Sequence, residues 1–151
     1  MEENPSTNEQ NIARFLQTLP CTIQNVDELH GFLFAPWVKQ QRLEFLDVME
    51  GRVRARLPQD PELHFLGGGI CGQAMMSGID TVMSMAMLTY PRSSKGTASQ
   101  NNQFLRPAMG DDLIIEAVVL KMGKHSAFGE TRVCFEGSGE LVVHSTSEYA
   151  F

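Results

Sequence analysis

The stretch from Ile70 to Leu88 constrains the fold of this chain more than any other. Placed on a helix, it puts Met75, Ile79, Val82 and Ala86 on one side and Met76, Met83 and Met87 on another. A helix apolar around most of its circumference belongs inside a protein. One narrow polar stripe interrupts that surface: Gln73, Ser77, Asp80 and Ser84, with Thr81 beside them. Asp is unfavourable in a helix interior and is seldom buried unless it is paired. Asp80 is therefore either a satisfied structural carboxylate or part of a site. Just ahead, Gly67, Gly68 and Gly69 let the backbone bend and be approached closely.

So apolar a helix invites a membrane reading, but an aspartate at mid-helix is costly in lipid, and Gln73 and several hydroxyls accompany it. The opening residues, MEENPSTNEQ, lack the basic and apolar regions of a signal peptide. A net charge of −6 and a pI near 5.1 argue against nucleic acid, whose binding needs a concentrated basic surface. Cys21, Cys71 and Cys134 lie far apart, without CxxC or metal-type spacing, and an odd, sparse count suits a reducing compartment. A cytoplasmic protein is expected, with no membrane and no nucleic-acid partner.

The rest of the chain divides by periodicity. Residues 1–8 are expected to form a disordered tail, 9–40 a helical extension and 41–151 the main domain. Ile12, Phe15, Leu16 and Leu19 have helical spacing up to Pro20, and Asn25 or Asp27 can cap a second helix that Pro36 would stop. Both helices read as packing elements. From Leu43 the period becomes two: a strand to Val48, a turn at Met49–Arg52, then Val53, Ala55 and Leu57 alternating with Arg52, Arg54 and Arg56. The arginine row reads as a solvated hairpin face, with phosphate contact as the sharper alternative. After the long helix come strands at Thr97–Arg106, Leu113–Met122, Ala127–Phe135 and Leu141–Phe151. The first of these is polar on both faces, as a strand facing water, an interface or a ligand would be. This order predicts an α+β fold, an antiparallel sheet wrapped around or packed on one helix.

The motifs make the pattern specific. Gly68-x-x-x-Gly72, then Asp80-Thr81, then Phe104-Leu105-Arg106-Pro107-Ala108 and Gly110-Asp111 resemble the hotdog-fold thioesterases of the phenylacetate-pathway, or PaaI-like, type. The resemblance runs from about residue 40 to 151 and leaves the N-terminal helices outside. It implies hydrolysis of acyl-CoA or aroyl-CoA thioesters to free acid and CoA. By motif position it makes Gly72 the amide donor to the thioester carbonyl, Asp80 the nucleophile or general base, and Thr97 a positioner of water. It implies no metal and no cofactor, since CoA belongs to the substrate. Three positions depart from the pattern: Cys71 and Gln73 stand where the family commonly has His and Gly around the helix-start glycine, and Phe65 where an Asn or Gln usually contacts the substrate. His64 or Gln73 is the candidate replacement. Arg106 and Lys124, with Lys121 and Arg92, are candidates for the CoA tail.

Helix geometry adds a constraint. A helix N-terminus offers unsatisfied N–H groups and partial positive charge, suited to a carbonyl oxygen becoming an oxyanion. Eight residues of helix, however, span roughly 12 Å. Gly72 and Asp80 of one chain cannot readily serve one thioester, but those of two chains can if their helices pair antiparallel. An obligate homodimer is expected, and the family resemblance adds a dimer of dimers.

Other readings stay open. Cys71 near a helix N-terminus is a possible nucleophile. A hotdog hydratase or dehydratase would need a His with Asp or Glu at the site. A non-catalytic acyl-CoA-binding module would account for Phe65.

Overall fold

The structure, a computed structural model, describes residues 6–151. Helix α1 (Thr7–Thr18) opens with a capping box: Ser6 Oγ accepts from Glu9 N–H at 3.3 Å, and the Glu9 carboxylate accepts from Ser6 N–H at 2.7 Å. The helix thus begins inside the stretch expected to be a tail, whose residues 1–5 lie outside the described ones. Helix α2 spans Val26–Leu33. Asn25 precedes it without capping it, because its side chain accepts from Thr22 N–H at 2.7 Å and donates to Thr18 O at 2.9 Å. That clamps the α1–α2 connection instead. Pro36 does not stop α2, which has already ended. It starts a short helix α3 (Pro36–Lys39), at the first helical position, where its missing N–H costs nothing.

The hairpin of β1 (Glu44–Met49) and β2 (Arg52–Leu57) turns at Gly51, whose φ of 75° favours glycine. The long helix α4 runs Gly72–Met87. Strands β3 (Gly96–Phe104), β4 (Leu113–Met122), β5 (Ser126–Phe135) and β6 (Leu141–Ala150) follow. Together they form one six-stranded antiparallel sheet in the order β1-β2-β4-β5-β6-β3. Alternation sorts its faces. Val53, Ala55, Leu57, Leu113, Ile115, Ala117 and Val133 point inward and are fully buried against Ile79, Val82, Met83 and Ala86 of α4. At Gly78 an added Cβ would lie 2.8 Å from Ile115 Cδ1, so glycine lets α4 settle onto the sheet there.

The outward face carries the arginine row. Arg52 pairs with Glu116 at 2.8 Å, Arg54 with Glu116 at 3.3 Å, and Arg56 with Glu44 at 2.6 Å and Glu136 at 2.9 Å. These guanidinium groups face carboxylates across the outer sheet surface, as the solvated face of a hairpin would. Exposed pairs of this kind contribute at most about 1 kcal/mol each. No helix among the described residues is long and apolar enough to cross a membrane.

Candidate active site

Two clefts flank α4, and the helix presents a different group to each. At its N-terminus Cys71 occupies the N-cap without a side-chain hydrogen bond, so the first-turn N–H groups have no side-chain cap. Backbone bonds hold this end: Cys71 N–H donates to Leu63 O at 2.8 Å, and Ile70 N–H to Ala108 O at 3.0 Å. The glycine loop and the Leu105–Ala108 segment therefore converge on the helix start. Gly72 opens onto a cleft of about 480 Å³ walled by Phe65, Met75, Phe104, Leu105 and Arg106. A Cβ at Gly72 would meet only Phe104, at 3.5 Å, an ordinary contact.

Asp80 lies in the second cleft, of about 420 Å³, with Gln73, Met76, Ser77 and Thr81 from α4, Thr97 and Gln100 from β3, and Phe34, Trp37 and Val38 from the N-terminal extension. Its Oδ1 accepts from Thr97 Oγ1 at 2.6 Å and from the Tyr149 hydroxyl at 3.0 Å, whose single proton is shared with the Asp80 backbone carbonyl at 3.1 Å. Ser84 Oγ lies 3.1 Å from the same Tyr149 oxygen. Burial, and then the neighbouring Asp80 charge, push the Tyr149 phenol well above its usual range, so it remains a donor. No hydrogen bond from the described residues reaches Oδ2 of Asp80. One carboxylate oxygen is thus held by two hydroxyls and the other is free, an arrangement suited to a nucleophile or a base.

Residues 68–142 match the family model described as thioesterase superfamily. The chain belongs to the thioesterase superfamily. Among its relatives, human acyl-coenzyme A thioesterase 13 is 26% identical over 103 residues, which are 67% of this chain and 74% of that protein. The structure of zebra fish thioesterase superfamily member 2 superposes with a TM-score of 0.79 at 22% identity, covering 86% of this chain and 98% of that one. The E. coli PaaI protein from the phenylacetic acid degradation operon superposes with a TM-score of 0.74 at 14% identity, covering 95% of this chain and 99% of that one. These neighbours share the hotdog fold, so the α+β expectation of a sheet around one long helix holds.

In this superfamily member the residues expected at a site divide three ways. Asp80, Thr97 and Gln73 meet in one cleft. Gly72, Phe65 and Arg106 meet in the other, where Arg106 is also tied to Glu140 at 3.0 Å and to Leu141 O. His64 and Lys124 line neither. His64 Nε2 contacts Gln59 Oε1 at 2.7 Å, and Gln59 in turn donates to the Ala108 and Asp111 carbonyls, so this histidine belongs to a loop network. Lys124 sits exposed in the β4–β5 turn, its carbonyl accepting from Arg92 at 2.6 Å. Arg92 also donates to Gly123 O at 2.8 Å and covers the Phe151 ring, which makes it a structural cation.

Sequence reasoning missed Tyr149, Phe34 and Trp37. The alternation of β6 could show that Tyr149 faces inward; only the pairing of β6 with β3 brings it to Asp80. Cys71 has no hydrogen bond from its thiol to any described histidine. The one histidine–glutamate contact at hydrogen-bond distance among the described residues, His144 Nε2 to Glu130 Oε1 at 2.7 Å, lies on the sheet face opposite Tyr149 and Asp80.

Proposed function

We propose that the protein hydrolyses acyl-CoA or aroyl-CoA thioesters to the free acid and CoA. The observation that carries this reading is the Asp80 carboxylate, anchored through Oδ1 by Thr97 and Tyr149 with Oδ2 open to a cleft. Oδ2 either attacks the thioester carbonyl carbon directly or takes a proton from a water that does. In both routes the C–S bond breaks, the CoA sulfur leaves and collects a proton, and water supplies the oxygen of the acid. The direct route passes through an anhydride that a second step with water opens. Water, thioester and side chains balance the scheme, so it draws on no metal or further cofactor.

The oxyanion needs a donor, and Gly72 N–H at the uncapped helix start is suited to it. That donor and Asp80 open onto different clefts of one chain. The reading therefore takes the Gly72 half of each site from one protomer and the Asp80 half from another. Strand β3 supports such pairing: it is a sheet edge bonded only to β6, and its Asn101 and Gln103 are exposed. The resulting homodimer, with two sites across its interface, can pair further into a dimer of dimers. Arg106 beside the Gly72 cleft is the cation best placed for a CoA phosphate.

A second reading, an acyl-CoA-binding module without turnover, is favoured by Phe65, which places an apolar ring where a side-chain donor would assist Gly72. Thiol release from aryl-, short- and long-chain acyl-CoAs separates the two. The hydrolase reading expects turnover by the native protein and its loss in Asp80→Asn, with folding intact. CoA-ester binding without turnover in the native protein would select the binding module.

A further inference from the structure

The N-terminal extension lines part of the Asp80 cleft, through Phe34, Trp37 and Val38. Trp37 is the only tryptophan in the chain, yet its side chain is 62% exposed. The short helix that carries it is well anchored: Val38 is buried, Lys39 Nζ donates to Gly31 O at 3.2 Å, and Gln41 Nε2 donates to Ala74 O at 2.8 Å. An exposed indole on a fixed support is a large apolar surface held in place, the kind of feature that marks an interaction site. On one side of it is the Asp80 cleft. On the other is a further cleft of about 300 Å³, lined by Glu62, Leu63, Cys71 and Ala74. Trp37 and Gln73 line both clefts, and no other residue does.

We infer that Trp37 is the partition that limits how long an acyl group the Asp80 cleft accepts. The inference rests on the thioesterase reading for the direction in which the substrate lies. With the thioester carbon at Asp80, the acyl group runs along α4 past Met76 and stops against the indole. Removing the indole joins the Asp80 cleft to the one beyond. A longer chain then gains buried methylenes there, each worth roughly fourfold in binding.

The test uses two readouts. First, kcat/KM is measured over a homologous series of straight-chain acyl-CoAs for native protein, Trp37→Ala and Trp37→Phe. The expected result is a native profile that falls beyond a cut-off length. In Trp37→Ala the ratio of long-chain to short-chain kcat/KM rises roughly fourfold per methylene past that cut-off, while Trp37→Phe stays near native. Second, emission from the single tryptophan is followed during titration with a non-hydrolysable acyl-CoA thioether and with CoA alone. A shift with the thioether and none with CoA supports the partition. An unmoved chain-length ratio in a folded Trp37→Ala variant, or an indole blind to a bound thioether, overturns it. Native turnover with an unmoved ratio sinks the partition and leaves the hydrolase standing. A thioether-dependent shift without any turnover keeps the partition and removes the hydrolase.

Discussion

Thr97 and Tyr149 face one another across the β3–β6 ladder, and their hydroxyls converge on the same oxygen of Asp80, at 2.6 and 3.0 Å. Directly opposed residues on antiparallel strands point to one face of the sheet, which here is the face that α4 covers. The carboxylate is thus positioned by a cross-strand pair rather than by its own helix. The ladder shifts register between Thr97 and Ser99, immediately beside the pair, as bulges near sites often do.

Loss of one anchor is expected to slow turnover without weakening substrate binding. A hydrogen bond to a charged group is worth about 1.5–3 kcal/mol. Tyr149→Phe should lower kcat by roughly ten- to a hundredfold with KM little changed. Thr97→Val should do the same and Thr97→Ser should recover most of the rate. Because both hydroxyls serve one oxygen, the double variant should cost less than the product of the singles. Strict multiplicativity would show that the two act separately.

Gly72 occupies the first position of α4, after an extended Cys71 with ψ of 154°. Proline is tolerated at that position and after such a residue, and it removes the N–H. Gly72→Pro should therefore fold and melt close to native while losing about a hundredfold or more in kcat, the usual effect of deleting an oxyanion donor. A folded Gly72→Pro protein with native kcat would remove this amide from the mechanism.

The extension carries a pH-dependent element. His30 stacks on Phe34 and Phe45 at 5.3 and 5.4 Å between ring centroids, and its Nε2 is buried without a partner. Burial lowers its pKa from the ordinary 6.5, with Asp27 pulling upward and Lys39 adding to the depression. Between the lowered folded value and 6.5 the unfolded chain binds the extra proton, so stability increases with pH across that window. The contribution is fully present above 6.5 and is lost as pH falls. The melting temperature of native protein relative to His30→Phe should decline below pH 6.5 and level off above it. A flat difference would show that His30 does not titrate on unfolding.

Much of the fold was legible because local signals agreed with it. The methionine-rich periodicity located α4, and alternation located the hairpin and the later strands to within a residue or two at most ends. Asp80, Gly72 and Thr97 were legible as motif positions, and Gln73 as a polar break in an apolar surface. What the sequence withheld depends on distance along the chain. Tyr149 reaches Asp80 only because β6 pairs with β3. Phe34 and Trp37 were not singled out, because Pro36 looked like the end of a packing helix, whereas it starts the helix that displays the indole. His64 looked available because a sequence does not show the loop amide it contacts, and Lys124 because a sequence does not show that its turn lies away from both clefts.

The central claim is that each site is built from Gly72 of one protomer and Asp80 of another. Subunit complementation tests it most directly: Gly72→Pro and Asp80→Asn proteins are unfolded together, refolded as a mixture and assayed for thiol release. A heterodimer of the two holds one site with both groups intact and one with neither. Random pairing of equal amounts should restore roughly a quarter of native activity from two parents that are each nearly inactive. A mixture that exchanges subunits, as shown by size or label, and stays as inactive as its parents would place both groups of a site on one chain and contradict the account.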